Sequence, residues 1–150
     1  MIEKYTELYI MGKSRQSKRY NQNSVSKRNN KTLRKSPKKK ILLGLIYADW
    51  CGHCKVLKPE WNNMKTMIKQ NTGRSLKNME FDIHEMGDTN NSNVSVDELV
   101  KDFNEKQFPK GDKEVSIDGF PTVFKIIKKR ITYYNDEKDA NKLYKWATKV

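Results

Sequence analysis

The chain has 150 residues, enough for one ordinary domain with one real core. Its formal net charge of +13 is unevenly placed: residues 1–40 hold 13 Lys/Arg against Glu3 and Glu7, while residues 41–150 hold 18 against 16 Asp/Glu. The basicity therefore belongs to an N-terminal extension, which excludes a uniformly basic globule.

Residues 1–11, "MIEKYTELYIM", carry Ile2, Tyr5, Leu8, Tyr9 and Ile10 and read as a short strand or helix docked on the domain. Residues 12–40 have almost no apolar side chains to offset the entropy of ordering, so the extension 1–40 is expected to be mostly disordered. Its mixture of Lys, Arg, Ser and Asn suits weak contact with nucleic acid or another anionic surface, and it equally suits a solvated linker. Tyr20 is the only aromatic in that stretch, so base stacking has little to work with.

No secretory leader is read at the N-terminus, because an apolar h-region is missing there. "KKKILLGLIYA" has the right polarity but starts near residue 38, and its apolar run is too short to span a bilayer. A buried strand over 41–48 is the better reading. From Cys54 the apolar positions Leu57, Trp61, Met64 and Ile68 step by four, three and four, a helical stripe. A second strand is expected over 78–85, with Phe81 and Ile83 alternating, then a polar loop from Met86 to Asn93. Ser95 with Glu98 forms a capping box ahead of a helix that buries Val96, Leu99, Val100 and Phe103. "PTVFKIIKK" and "RITYYN" read as strands joined by a basic turn, and Ala140, Leu143, Tyr144 and Ala147 share the face of a last helix. The order β-α-β-α-β-β-α defines an α/β fold with a mixed sheet.

The chemistry concentrates in "YADWCGHCKVLKPEW", residues 47–61, which holds the chain's only two cysteines. Two thiols separated by Gly52 and His53 close a small ring only where the chain turns tightly, as at a helix start. Unpaired N–H groups and the helix dipole there stabilise a thiolate. Cys51 is then the attacking nucleophile and Cys54 the resolving thiol, with His53 favouring the thiolate further. A structural zinc site would need four ligands. The chain's cysteines and histidines are Cys51, His53, Cys54 and His84, and His53 is badly placed between the cysteines. No metal and no cofactor is expected. A purely structural disulfide is disfavoured, because so small a loop stabilises little.

This segment resembles the active-site region of the thioredoxin superfamily, closest to the CGHC domains of protein disulfide isomerases. The likeness covers about residues 39–150 and includes Tyr47, Ala48, Trp50, Lys55 and Pro59. A second match, "DGFPTVF" at 118–124, is similar to the family's cis-proline loop. The resemblance implies a thioredoxin-like fold and a thiol–disulfide oxidoreductase acting on protein cysteines, nearer an oxidase or isomerase than a reductant. It implies that Pro121 is cis and lies against the cysteines, and that Trp50, Gly52 and Phe120 contact substrate, the Phe120 backbone by β-pairing. Thr122 reads as turn and strand-start chemistry.

The chain departs from the family in two places. The buried acid six residues before the first cysteine is replaced by Leu45, and Glu80 is the candidate to supply that carboxylate from the neighbouring strand, the alternative being a solvated strand residue. The family's first strand and helix are not recognisable before residue 41, so residues 1–11 supply a reduced version or the domain lacks them. With no entry signal, no retention tetrapeptide in the closing "WATKV", and a Lys- and Asn-heavy composition similar to proteins of AT-rich genomes such as large DNA viruses, a cytosolic or virion-type location is expected over secretion. The redox partner and oligomeric state are not legible.

Overall fold

A computed structural model of the chain describes residues 36–150. The readings placed on residues 1–35, including the docked segment 1–11, lie outside the described residues. Seven elements follow in order: β1 (Lys39–Ala48), α1 (Gly52–Asn71), β2 (Met79–Asp88), α2 (Val96–Gln107), β3 (Thr122–Ile127), β4 (Arg130–Tyr133) and α3 (Ala140–Thr148). The described strands form one mixed sheet in the order β2-β1-β3-β4. β1 pairs parallel with β2 and antiparallel with β3, which pairs antiparallel with β4. Every connection matches the expected element order.

β1 lies in the interior of the sheet, and its run of buried residues serves two cores. Ile41, Leu43 and Leu45 face the layer of α1 and α3, where they meet Leu57, Trp61, Met64, Ile68, Leu143 and Ala147. Leu42 and Ile46 face the layer of α2, with Val96, Val100, Phe103, Phe124 and Ile126. A period of two along β1 sends alternate side chains to opposite layers, so a strand covered on both faces reads as unbroken hydrophobicity. Gly44 interrupts the second series for a steric reason. It pairs with Phe124, whose ring lies where a side chain on residue 44 would stand, 2.0 Å from an ideal Cβ.

α1 buries Cys54, Leu57, Trp61, Met64 and Ile68, the stripe expected from its spacing. The indole N–H of Trp61, a fully buried residue, donates to Glu85 Oε1 on β2 at 2.9 Å. α2 opens with the Ser95–Glu98 capping box, both hydrogen bonds formed at 3.2 Å. α3 opens on Asp139, and its first residue is tied to α1 by the Ala140 N–H donating to Glu60 Oε2 at 3.0 Å. Its C-terminal end is held by Lys125 on β3, whose buried ammonium donates to the Trp146 and Lys149 carbonyls. That placement satisfies helix-end acceptors and sets a cation against the negative end of the dipole. Burial, with Lys149 nearby, lowers the Lys125 pKa from its ordinary value.

Two boundaries differ from expectation. The folded region begins at Lys39 rather than residue 41, because the Lys39 N–H bonds the Asn78 carbonyl and lengthens the β1–β2 ladder. β2 runs to Asp88 instead of yielding to a loop at Met86. Gly87 is buried there under the Tyr47 ring, and this close approach makes a glycine in a polar-looking stretch part of the sheet. The β3–β4 turn is a two-residue loop with Lys128 at φ 49° and Lys129 at φ 63°. Left-handed backbone of that kind favours Asn-Gly and costs an ordinary residue roughly 1–2 kcal/mol. No helix among the described residues is long and apolar enough to cross a membrane.

Candidate dithiol site

The site forms where β1 ends. The chain leaves Ala48 through a turn closed by the Cys51 N–H on the Ala48 carbonyl at 3.1 Å, then enters α1 with Cys51 as its N-cap residue. Cys51 therefore stands at the positive end of a 20-residue helix, and Cys54 lies one turn inside it. Both are carried as free thiols; Cys51 is 8% exposed and Cys54 3%. Ala48, Tyr47 and Phe120 pack around them.

The second sequence motif arrives from the opposite direction. The loop leading into β3 has a cis Phe120–Pro121 bond, and the Phe120 carbonyl accepts from the Cys51 thiol at 3.5 Å. Antiparallel pairing of β1 and β3 brings these segments together, since Ile46 pairs with Thr122 at the same end of the sheet. Thr122 donates its hydroxyl to the Gly119 carbonyl at 2.6 Å, bracing the loop. Trp50 is 64% exposed beside the cysteines, and its ring meets Phe120 edge-on at 5.6 Å. Its indole N–H donates to Asp88 at 3.0 Å, which fixes the ring in spite of its exposure. Gly52 is exposed, and an added Cβ would meet nothing within 4 Å.

The environment splits the two thiols. Burial by itself pushes Cys51 up, but hydrogen bonds from the Cys54 thiol and from the Cys54 and His53 backbone N–H groups, with the Lys138 cation, outweigh it. The Cys51 thiol is held below its ordinary value. Cys54 goes the other way, pushed up to about 11, first by burial and then by the neighbouring Cys51 charge it stabilises. A stabilised thiolate beside a withheld proton is the arrangement that sequential thiol exchange requires.

Lys138 escaped the sequence reading. It lies in the "DEKDA" stretch before α3, an exposed lysine among acids with the pattern of any solvated loop. The chain fold alone brings its ammonium to 3.3 Å from His53 Nδ1. An ammonium has only donors, so Nδ1 is the acceptor in this contact. His53 is exposed between the cysteines, and the Lys138 ammonium lies beside it.

Glu80 is corrected by the structure. It is exposed and pairs with Lys40 at the far end of the sheet, about 25 Å along β1 from the dithiol. The residue level with Leu45 on β2 is Glu85, five positions further on. Its carboxylate is committed to Trp61 and Lys65. Burial raises its pKa, but those two hydrogen bonds prevail and hold the carboxyl below its usual range. Among the described residues no carboxylate hydrogen-bonds Cys54. No cluster of three or more metal-ligating side chains occurs among them either.

A helix-start dithiol facing a cis-proline loop across a mixed sheet defines the class of thioredoxin-like domains. The comparisons agree, for the thioredoxin family model matches residues 21–149, and the chain belongs to that family. Mouse protein disulfide-isomerase A6 is 34% identical over 92 residues, 61% of this chain and 20% of the relative. The human protein of that name is 32% identical over the same shares. The chain thus spans about a fifth of the length of the curated relatives it matches. The first thioredoxin domain of mouse protein disulfide-isomerase A4 superposes with a TM-score of 0.46 at 20% identity, over 71% of this chain and 60% of that one.

Proposed function

We propose that the protein is a thiol–disulfide oxidoreductase of the isomerase kind, exchanging disulfides with cysteines of protein substrates through Cys51 and Cys54. The observation that carries this reading is the placement of Cys51 at the N-cap of α1, with Cys54 one turn inside and the Phe120 carbonyl facing the Cys51 thiol at 3.5 Å; the opposed shifts of the two thiols, Cys51 lowered and Cys54 raised to about 11, support it. In the reducing direction the Cys51 thiolate attacks one sulfur of a substrate disulfide. That S–S bond breaks, one substrate thiolate leaves, and a Cys51–substrate disulfide forms. Cys54 then loses its proton to solvent and attacks the Cys51 sulfur, releasing the second substrate thiolate and leaving a Cys51–Cys54 disulfide. Two electrons pass to the substrate. Run in reverse, a substrate dithiol is oxidised and the protein dithiol restored. Attack on a wrong disulfide followed by escape through another substrate thiol is isomerisation.

Substrate is received between Trp50 and the Phe120–Pro121 loop, where an extended segment pairs with the Phe120 backbone and lays its sulfur against Cys51. His53 holds the Lys138 ammonium near the motif. A stabilised Cys51 thiolate favours the dithiol state, so the disulfide is oxidising, as suits a donor or isomerase.

The test is the reduction potential of the Cys51–Cys54 pair, from graded glutathione buffers with thiol trapping. The expected value lies near the isomerase figure of about −180 mV. A value near about −270 mV, as in thioredoxin, would make the protein a reductant.

A further inference from the structure

The end of the sheet opposite the dithiol gathers cations that the exchange chemistry does not use. β1 starts there with Lys39 and Lys40, preceded directly by Lys38, and all three are exposed. The neighbouring hairpin turn carries Lys128, Lys129 and Arg130, also exposed. The register pairs Leu42 with Ile126, so continuation of the two strands brings Lys40 level with Lys128. Lys113, from the loop before β3, reaches in to donate its ammonium to the Lys129 carbonyl at 3.2 Å. Among the described residues none of these side chains is within ion-pair distance of a carboxylate; Glu80 and Asp82 on β2 mark the border of the patch. The patch is about 30 Å from Cys51 along β1.

The turn supplies a second observation. Lys128 and Lys129 both sit in left-handed backbone, φ 49° and 63°, where asparagine and glycine are the favoured pair. Two lysines there are the wrong residues for the turn and the right ones for charge, and strained positions of this kind gather where a surface has work to do.

We propose that this pole binds the phosphodiester backbone of nucleic acid, independently of base sequence. Strand neighbours about 4.8 Å apart set Lys40 beside the Lys128–Lys129 turn, so several long, flexible ammonium side chains gather on one face, and among the described residues none of them has to leave a carboxylate in order to meet a phosphate. Among the described residues the patch has no exposed aromatic on which bases would stack, so recognition goes through the backbone. The dithiol, at the other end of β1, stays open to protein substrates while the pole is occupied.

The test is fluorescence anisotropy of a labelled 20-nucleotide oligothymidylate with the full chain across a salt series. The wild type is compared with the double variant Lys128→Asn/Lys129→Gly and with Lys145→Gln on α3. The double variant installs the residues this turn favours, so folding is not at risk, and retained insulin reduction confirms it. Losing two phosphate contacts should weaken binding on the order of tenfold and flatten the slope of log K against log salt by about 1.4. Lys145→Gln should bind as the wild type does. The proposal is overturned if the wild type does not bind, if the double variant keeps the wild-type affinity and slope, or if the protein takes up phosphatidylserine vesicles but not the oligonucleotide.

Discussion

The Lys138 ammonium lies 3.3 Å from Nδ1 of His53, a contact across 85 residues of sequence. It depends on the whole fold: β4 delivers the loop, the Tyr134 hydroxyl and the Asp139 N–H both close on the Glu137 carbonyl, and Glu60 of α1 grips the start of α3. The loop is therefore set against α1, and Lys138 faces both thiols of the motif.

Replacing Lys138 by Met removes a side-chain cation that favours the Cys51 thiolate, so the Cys51 pKa should rise toward its ordinary value. At pH 7 the rate of Cys51 alkylation by iodoacetamide should fall roughly two- to fivefold, the scale of an exposed charge interaction. The disulfide should become less oxidising at the same time. Lys145→Met, an exposed lysine on α3, is the control. Equal alkylation profiles for the two variants would remove Lys138 from the site.

Release of bound substrate should depend steeply on pH, because Cys54 must ionise first and its thiol is pushed up to about 11 in the dithiol state. Part of that elevation comes from the Cys51 thiolate, whose charge disappears once Cys51 is in a mixed disulfide. The apparent midpoint for release should therefore fall below 11, with the rate climbing about tenfold per pH unit beneath it. Quenched-flow thiol trapping measures this. In Cys54→Ser the mixed disulfide should accumulate, whereas Cys51→Ser should form none on the productive path.

Glu80→Gln should leave both thiol titration and turnover unchanged, because the carboxylate is exposed at the other end of the sheet. Glu85→Gln acts elsewhere. It weakens the contacts to Trp61 and Lys65 and should cost about 1 kcal/mol, after allowance for screening at a half-exposed position. Urea denaturation should show a lower midpoint for Glu85→Gln alone. A changed Cys54 titration in Glu80→Gln would contradict the placement of β2.

Gly44→Val should be far more damaging, since its Cβ would stand 2.0 Å from the fully buried Phe124 ring. With Phe103 packed edge-on against that ring at 5.5 Å, the ring cannot swing clear. A loss of about 3 kcal/mol or more is expected, read as a fall in Tm. Pairing it with Phe124→Leu should recover part of the loss, which a backbone cause would not allow.

Local chemistry carried much of this protein into view from its sequence. Stripes at helical spacing, an apolar run of strand length and a capping box report contacts between residues a few positions apart. C-x-x-C is a local device too, and its position at the start of a helix follows from the stripe that begins at Cys54. The end of β2 has no local signature, because Met86 and Gly87 are buried by α2 and by Tyr47, partners no local pattern reveals.

Register and loop placement were decided only in three dimensions. Sliding β2 by five positions along β1 would put Glu80 in place of Glu85 opposite Leu45 and, five being odd, would turn the β2 side chains to the other face of the sheet; only the packing of both faces fixes the register. Lys138 has no local signature, because its role depends on a cation meeting a histidine through space. The sequence by itself determined the elements, their order and the reacting pair of thiols, since short-range periodicity and steric closure encode them. Which carboxylate lies beside which strand, and which cation faces the thiolate, was decided by tertiary packing, since electrostatic effects depend on distance in space and separation along the chain does not set it.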